Sequence, residues 1–152
     1  MTFETRLQAV KSTLQNAKYI LIGAGAGFSA AAGLTYNGKR FEDNFQPFIK
    51  KYGMTDMYSA GFYPFAKPEQ KWAYWAKHVW HNRWQPEALP LYRELFELVK
   101  DKNYFVLTTN VDGQFEKAGF APERLFAMQG DYGKLQCKNA CHDDLYLSLI
   151  HI

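Results

Sequence analysis

The stretch that decides the fold runs from Tyr19 to Gly33 and has the sequence YILIGAGAGFSAAAG. Its first four residues are apolar, rich in β-branched and aromatic types, and too few for a buried helix, so they predict a buried parallel strand. Small, helix-tolerant residues from Ser29 to Ala32 follow the glycines, and Gly33 ends them. The strand, the tight glycine turn and the helix together predict the entry to a βαβ unit.

Upstream of this unit the sequence predicts an amphipathic helix. Thr2 stands at the N-cap position, and the apolar residues Phe3, Leu7, Val10 and Leu14 recur at spacings of four, three and four. This spacing places them on one face of a helix, and threonine is a favoured N-cap residue.

Downstream, from Tyr36 to about Pro90, aromatic residues and prolines replace the strand pattern, which predicts a helical insertion. Its clearest helix begins near Pro68 and carries Trp72, Trp75 and Val79 on one stripe. We expect these aromatics to pack against the sheet and the nearby His78 and His81 to be partly solvated. A metal pair at the two histidines, or a surface that stacks nucleic-acid bases, is the less favoured alternative.

After the insertion, helices and strands alternate again. The sequence predicts a helix with Leu91, Leu95 and Leu98 facing the sheet. Three further elements follow, in the order strand, helix, strand: a buried strand at Tyr104 to Leu107, a short helix at Val111 to Ala118, and a strand at Arg124 to Ala127. Alternating helices and strands are typical of a parallel sheet. The fold class is therefore α/β, with a Rossmann-like, doubly wound parallel sheet that is incomplete.

Composition excludes several classes of protein. The chain has 152 residues, of which 47% are hydrophobic and 17% aromatic, and this composition excludes disorder, collagen-like repeats and coiled coil. The net charge of +3 is too small to indicate a nucleic-acid or membrane partner. No secretory signal pattern stands at the start, so we predict a cytoplasmic, reducing location.

The glycine turn matches a dinucleotide fingerprint, Gly25-x-Gly27-x-x-Ala30, in the strand–turn–helix context that the fingerprint requires. Glycines let the backbone approach a pyrophosphate, whose charge then lies at the helix N-terminus. The alternative is a tight βα turn without a ligand. Glu42 and Asp43 are the acidic residues at the spacing a dehydrogenase requires, and neither ends a strand, so hydride transfer is weakly supported.

Polar residues follow the strand at Tyr104 to Leu107, in the run Thr108-Thr109-Asn110-Val111-Asp112. Open α/β sheets bind ligands at the carboxyl ends of their strands, so this run is expected to face the same crevice as the glycine turn. Asn110 supplies a donor and an acceptor, and Asp112 an acceptor, which suits a carboxamide and ribose hydroxyls. An Asx turn that caps the next helix is an equally good explanation of these two residues.

Together, these two segments resemble the sirtuin (Sir2) family. The first block runs from Gly25 to Leu34, and the second is Thr108 to Asp112, continued by Ala118-Gly119. A third block has Gln129-Gly130 where ordinary sirtuins carry His-Gly, and then Cys137 and Cys141 where a first zinc pair stands. The resemblance covers residues from about 1 to 146.

Departures from the common pattern resemble the macrodomain-linked microbial branch of sirtuins. Thr35-Tyr36-Asn37-Gly38 replaces the usual Pro-x-Phe-Arg, and Gln129 replaces the catalytic histidine. The resemblance to that branch implies NAD-dependent ADP-ribosylation of a protein acceptor, with a lipoyl-carrier protein as acceptor and a macrodomain protein as a possible partner. Two alternatives remain, an NAD-dependent deacylase and an inactive NAD-binding fragment.

The resemblance also implies a set of site residues. Asn110 and Gln129 are the catalytic positions, and a neutral glutamine orients an acceptor but does not act as a base near pH 7. Asp112 holds the nicotinamide end, and Ser29 with the loop amides holds phosphate. The residues expected to bind NAD are Gly25, Ala26, Gly27, Phe28, Ser29, Gly33, Thr108, Asn110 and Asp112.

Cys137 and Cys141 are expected to form half of a structural zinc site, which needs four nitrogen or sulfur ligands. His142 is not expected to join them, because its adjacency to Cys141 makes joint coordination awkward. Residues 147–152 have no counterpart that we can align in the family, which suggests a truncated or misread reading frame.

The predicted organisation has five parts in chain order. They are the first βαβ element of an NAD-binding domain (1–35), the helical insertion (36–90), the continuation of the NAD-binding domain (91–135), the start of a zinc-binding module (136–146) and an atypical tail (147–152).

Overall fold

The computed structural model describes residues 2–151, and the side chains of residues 150 and 151 are not described. Met1 and Ile152, which the sequence analysis assigned to the first element and to the tail, lie outside the described residues. Three strands, β1 (Tyr19–Ala24), β2 (Asn103–Thr108) and β3 (Leu125–Ala127), form a parallel sheet in the order β1-β2-β3. A separate antiparallel hairpin pairs β4 (Lys134–Gln136) with β5 (Leu145–Leu147).

Helices connect these strands, and their bounds are as follows. The α-helices are α1 (Phe3–Asn16), α2 (Ala26–Ala31), α3 (Gly38–Tyr52), α4 (Met57–Ala60), α5 (Pro68–Val79), α6 (Pro90–Val99) and α7 (Gln114–Lys117). A π-helical turn (Trp80–Trp84) continues α5, and short 3₁₀ segments occupy Pro122–Arg124 and Ser148–His151. In residues 2–151, no helix is long and apolar enough to cross a membrane.

The first helix forms as the sequence predicts, but its apolar face is not covered. Thr2 caps it, because the Thr5 amide donates to Thr2 Oγ1 at 3.3 Å. Phe3, Leu7 and Val10 are exposed, and none of the described residues of α1 is buried. The helix is therefore held by its own hydrogen bonds more than by packing.

The prediction of a buried first strand is half wrong. β1 pairs in parallel with β2, as predicted, but Tyr19 is 80% and Leu21 68% exposed. Side chains alternate between the two faces of a strand, so these two lie on the face away from Ile20 and Ile22. That face of the sheet is not packed against any described helix, and Phe126 of β3 is exposed as well.

The opposite face of the sheet carries the main core. Tyr104 and Val106 of β2 pack there with Val99 of α6, Phe115 of α7 and Phe120. Helix α6 forms as predicted and Leu95 packs against this core, but Leu98 is exposed. The buried residues of the helix are Tyr92 and Val99, each one position after a predicted leucine, and the Tyr92 hydroxyl has buried hydrogen-bond partners.

The insertion has a core of its own rather than resting on the sheet. Phe41 and Phe45 of α3 pack with Met57 of α4 and Tyr74 of α5. The expected stripe on α5 is confirmed for Val79, which is buried, and for Trp75, which packs against this core, but it is wrong for Trp72, which is 56% exposed. The other buried residues of the helix are Tyr74 and His78. His78 is 1% exposed and not partly solvated as expected, since its spacing from Tyr74 places both on the inner face of the helix.

Candidate functional site

A crevice of about 410 Å³ opens where β1 and β2 end, between the start of α2 and the insertion. It brings together residues from four separated segments of the chain. Its lining comprises Ala26, Ser29, Ala30, Leu34, Thr35, Tyr36, Asn37, Tyr58, Thr109, Asn110, Val111, Asp112, Gln129 and Tyr132. Ligands of open α/β sheets bind at this position, outside the carboxyl ends of the strands.

The glycine turn begins α2 earlier than the sequence predicts. The helix starts at Ala26, not Ser29, because Gly25 has the extended backbone of an N-cap residue. The turn also lies close to the end of β2, since the Thr109 amide donates to Ala24 O at 3.1 Å. A Cβ at Gly25 would lie 3.3 Å from Thr109 Oγ1, so a larger residue would push the two segments apart. Ala26, the first residue of this helix, lines the crevice, and the amide of a first helical residue has no acceptor within the helix.

Four buried polar side chains form one hydrogen-bond network beneath the crevice. Ser29 Oγ donates to Asp112 Oδ2 at 2.6 Å and lies 2.7 Å from the hydroxyl oxygen of Tyr92. Asn110 Nδ2 donates to the same Tyr92 hydroxyl at 3.1 Å. The Ser29 hydroxyl thus has two protein partners, Asp112 and Tyr92, where it lines the crevice.

Asp112 also makes the Asx turn that the sequence left open as an alternative. Its Oδ1 accepts from the Gln114 amide at 3.0 Å, which begins α7 at Gln114 and not at Val111. The capping explanation of Asp112 therefore holds, and its other oxygen, Oδ2, accepts from Ser29 at the edge of the crevice. Asn110 differs, because its Oδ1 has no hydrogen-bond partner within residues 2–151 and remains available at the crevice.

The pKa values of the tyrosines around the crevice are raised by burial and by a nearby negative charge. Burial, together with the charge of Asp112, raises the pKa of Tyr92 to about 12. Burial also raises the pKa of Tyr36 and of Tyr132, and the charge of Asp112 adds to both effects. The charge of the buried Asp112 carboxylate thus acts on all three tyrosines and favours positive charge near them.

Gln129 reaches the crevice from a loop that is fixed on both sides. Before it, the Met128 amide donates to Thr108 O at 2.8 Å, and after it the Tyr132 amide donates to Val111 O at 2.9 Å. Gln129 itself is exposed. Its carboxamide therefore lines the crevice opposite α2 while remaining open to an incoming molecule.

An arginine from the insertion ties this loop to the Asp112 turn. Arg83 Nε and Nη2 donate to the two oxygens of Asp131 at 2.6 and 3.1 Å. Burial opposes ionisation of Asp131, but hydrogen bonds from Arg83 and the Gly133 amide outweigh it and lower its pKa. The guanidinium also covers Gly113, whose φ is +66° and where a Cβ would lie 2.2 Å from Arg83 Cζ. Only glycine fits at that position.

Some residues expected to bind NAD lie outside the crevice lining. Phe28 packs in the core, with its ring 4.6 Å from that of Tyr92, and so faces away from the crevice. Thr108 joins the strands by donating to Ala24 O at 3.1 Å. Gly25, Gly27 and Gly33 shape the turn, but the lining of the crevice does not include them.

The two cysteines lie together in the hairpin region. Their sulfurs are 3.0 Å apart, and, contrary to expectation, a ring nitrogen of His142 lies within 4.8 Å of both. A shared hydrogen bond lowers the pKa of Cys137 and raises that of Cys141. Two sulfurs and one imidazole suit zinc, but they are three donors where a closed structural site uses four.

Sequence reasoning missed Tyr92, Tyr132 and Arg83. Tyr92 follows Pro90 by two residues and interrupts a leucine-rich helix, and a polar-tipped aromatic at such a position is the one local signal for it. Arg83 gives no such signal, because its partner Asp131 is 48 residues away in the chain.

Comparison with known proteins finds relatives along most of the chain, although no protein-family model matches it. A protein ADP-ribosyltransferase of Staphylococcus aureus strain Mu50 is 35% identical over 91% of this chain and 44% of its own length. A probable bifunctional ADP-ribose hydrolase/ADP-ribosyltransferase of Fusarium oxysporum f. sp. cubense is 37% identical over 91% of this chain and 24% of its own. An NAD-dependent protein deacylase 2 of Pseudomonas syringae pv. tomato is 33% identical over 93% of this chain and 56% of its own.

The fold matches solved structures of the same kind. The crystal structure of a Sir2 homologue in complex with NAD has a TM-score of 0.62 at 20% identity, over 93% of this chain and 52% of that one. The chain spans between a quarter and just over half of the relatives that it matches. The chain therefore has the fold of these Sir2 structures.

Proposed function

We propose that this sirtuin chain is part of an NAD-dependent enzyme that cleaves the nicotinamide–ribose bond and transfers ADP-ribose to a protein acceptor. One observation carries the proposal. Asn110, Asp112 and Gln129, which come from two different loops, line one crevice together with the first turn of α2. The Staphylococcus and Fusarium relatives, both named for ADP-ribosyl transfer, support the same reaction.

The residues present fit NAD in their donors and acceptors. The start of α2 suits the pyrophosphate, because the amide of its first residue, Ala26, has no acceptor within the helix and carries partial positive charge at the crevice. Asn110 Oδ1 is an acceptor without a protein partner, which suits a ribose hydroxyl or the nicotinamide carboxamide. NAD supplies the bond to be broken, and its cleavage leaves positive charge on the ribose.

Asp112 and Asn110 would stabilise that charge. The carboxylate of Asp112 is buried, and Ser29 and the Gln114 amide hold it in place, so its field is fixed before the reaction begins. Preorganised charge of this kind lowers the barrier because nothing must reorient during bond breaking. Tyr92 holds the Asn110 carboxamide by its nitrogen and turns the oxygen towards the crevice.

Gln129 would position the acceptor. Its carboxamide has no protonation change near pH 7, so it orients a nucleophile but does not remove a proton from it. A protein carboxylate or another already nucleophilic group therefore suits this site better than a hydroxyl that needs a base. As the resemblance implies, a lipoyl-carrier protein would be the acceptor, and a macrodomain protein a partner.

Zinc would have a structural role away from this chemistry. Cys137 and Cys141, with His142 beside them, would hold it, and the fourth ligand would come from elsewhere. The three donor atoms lie in the hairpin region and do not line the crevice.

Deacylation is the second candidate, and the Pseudomonas deacylase relative favours it. Against it stands Gln129, in the position where ordinary sirtuins have a histidine. A third possibility is that the chain binds NAD without turnover.

Mass spectrometry distinguishes the three candidate functions, which are ADP-ribosyl transfer, deacylation and NAD binding without turnover. The protein is incubated with NAD and a lipoylated carrier protein, and the carrier is then weighed. A gain of ADP-ribose supports transfer, loss of the acyl group supports deacylation, and an unchanged carrier supports the inactive protein. We expect Asn110→Ala to abolish nicotinamide release, whereas the control Asn16→Ala, on the exposed α1, retains it.

A further inference from the structure

A second, larger cavity lies between α5 and the β4–β5 hairpin. Its volume is about 610 Å³, which is within the range of small-molecule sites. Aromatic and aliphatic side chains from both elements form most of its walls. The lining of this aromatic cavity comprises Gly61, Lys71, Trp72, Trp75, Ala76, Val79, Asp131, Tyr132, Lys134, Leu135, Tyr146 and Ser148.

The cavity exposes apolar surface that folding has left uncovered. Trp72 and Tyr146 stand on opposite walls, one on α5 and one on β5, and both are exposed. Trp75 lies deeper and packs against Tyr132 at 6.0 Å between ring centroids. A slot between aromatic walls favours an aliphatic or flat apolar group, because burying it removes apolar area from water on three sides.

Positive charge predominates in the lining of the cavity. Lys71 and Lys134 line it, and neither forms an ion pair within residues 2–151. Asp131 is the carboxylate in the lining, and Arg83 engages both of its oxygens. The two lysines therefore face the cavity without a competing free anion.

The inner end of the cavity is uncharged. Trp75 and Tyr132 pack against His78, with ring centroids 5.1 and 5.2 Å from its ring. Burial, with the charge of Arg40, lowers the pKa of His78 to about 4, so the imidazole behind these rings is neutral at pH 7. Its Nε2 has no hydrogen-bond partner among residues 2–151.

We propose that the aromatic cavity binds a small amphipathic carboxylate, that is, an aliphatic chain with one anionic end. The chain lies between Trp72, Trp75 and Tyr146, and the carboxylate lies at Lys71 and Lys134. Tyr132 lines both this cavity and the NAD crevice, so the two sites share one wall. The inference does not depend on the proposed function, because binding here needs neither NAD nor turnover.

Tryptophan fluorescence tests the proposal directly, since two of the four tryptophans line the cavity. Titration with decanoate is expected to give a saturable change with one site per chain. Decanol and decanamide have the same chain without the charge and are expected to bind roughly fivefold more weakly, the range that one exposed ion pair supplies. Equal affinity for decanamide would overturn the carboxylate assignment and indicate a neutral acyl chain.

Two pairs of variants locate the ligand. Lys71→Gln is expected to weaken decanoate binding and leave decanol binding unchanged, whereas Lys67→Gln, at the exposed N-cap position before the same helix and outside the lining, leaves both unchanged. Ala76→Phe fills the cavity and is expected to abolish binding, whereas Ala73→Phe, exposed on the same helix, retains it.

Circular dichroism checks that Ala76→Phe is folded, and Lys71→Gln keeps the proposal testable if it is not. Decanoate binding that survives both Ala76→Phe in folded form and Lys71→Gln would place the ligand elsewhere. Absence of any saturable change with decanoate would exclude the site.

Discussion

The two faces of the central sheet differ although the same three strands form both. On one face Tyr104 and Val106 are buried beneath α6 and α7, and on the other Tyr19, Leu21 and Phe126 are exposed. The crevice lies at the end of the covered face, where its buried polar groups find partners on the packed helices. The difference shows that strand ends alone do not form such a crevice, because the helices packed on the sheet position its side chains.

The largest expected effect compares two phenylalanines, one on each side of the sheet. Phe115→Ala is expected to lower the free energy of unfolding by about 3–5 kcal/mol, because it leaves a cavity in the main core. Phe126→Ala removes the same ring from the exposed face, because Phe126 is 56% exposed and Phe115 only 2%. This change is expected to alter the free energy of unfolding by about 0.5 kcal/mol or less. Urea unfolding measures both. Equal losses would show that the exposed face is covered in solution.

A smaller effect is expected at the crevice end of the covered face. Asp112→Ala leaves the Ser29 hydroxyl and the Gln114 amide without their acceptor, at a cost of about 2–3 kcal/mol. Asp101→Ala, at an exposed position before β2, is the matched control and is expected to be neutral. Urea unfolding again measures the change. Calorimetric titration with NAD is expected to show binding by the control and none by Asp112→Ala.

The smallest effect compares two tyrosines. Tyr92→Phe removes the hydroxyl that joins Ser29 to Asn110 and is expected to cost about 1–2 kcal/mol. Tyr19→Phe makes the same change on the exposed face and is expected to have no measurable effect. If Tyr92→Phe also proved neutral, the network would not be contributing to stability as the geometry indicates.

The pH dependence of the free energy of unfolding provides a second test of the Tyr92 hydroxyl. The Tyr92 pKa of about 12 lies above the ordinary tyrosine value of about 10, so the folded state holds this proton more tightly. Its contribution to stability is complete below about pH 10 and is lost as the pH rises towards 12. The free energy of unfolding should therefore fall less steeply over this range in Tyr92→Phe than in the unchanged protein, since both retain the other buried tyrosines.

Local patterns predicted much of this architecture. Thr2 caps α1, the apolar run forms β1, and the glycine turn and the Asn110 to Asp112 segment meet at one crevice, because each depends on short-range spacing or on the direction of parallel strands. The burial of β1 and the face of α6 were wrong, since both depend on which elements pack against them. His78 was wrong for the same reason, because apolar spacing gives no weight to a histidine among aromatic neighbours.

Arg83 has a mechanical consequence. It belongs to the insertion, yet its side chain donates to Asp131, two residues after Gln129. The same side chain lies over Gly113, the residue after Asp112. A rotation of the insertion would thus move the Gln129 loop and the Asp112 turn together, because the Arg83 side chain contacts a residue next to each of them.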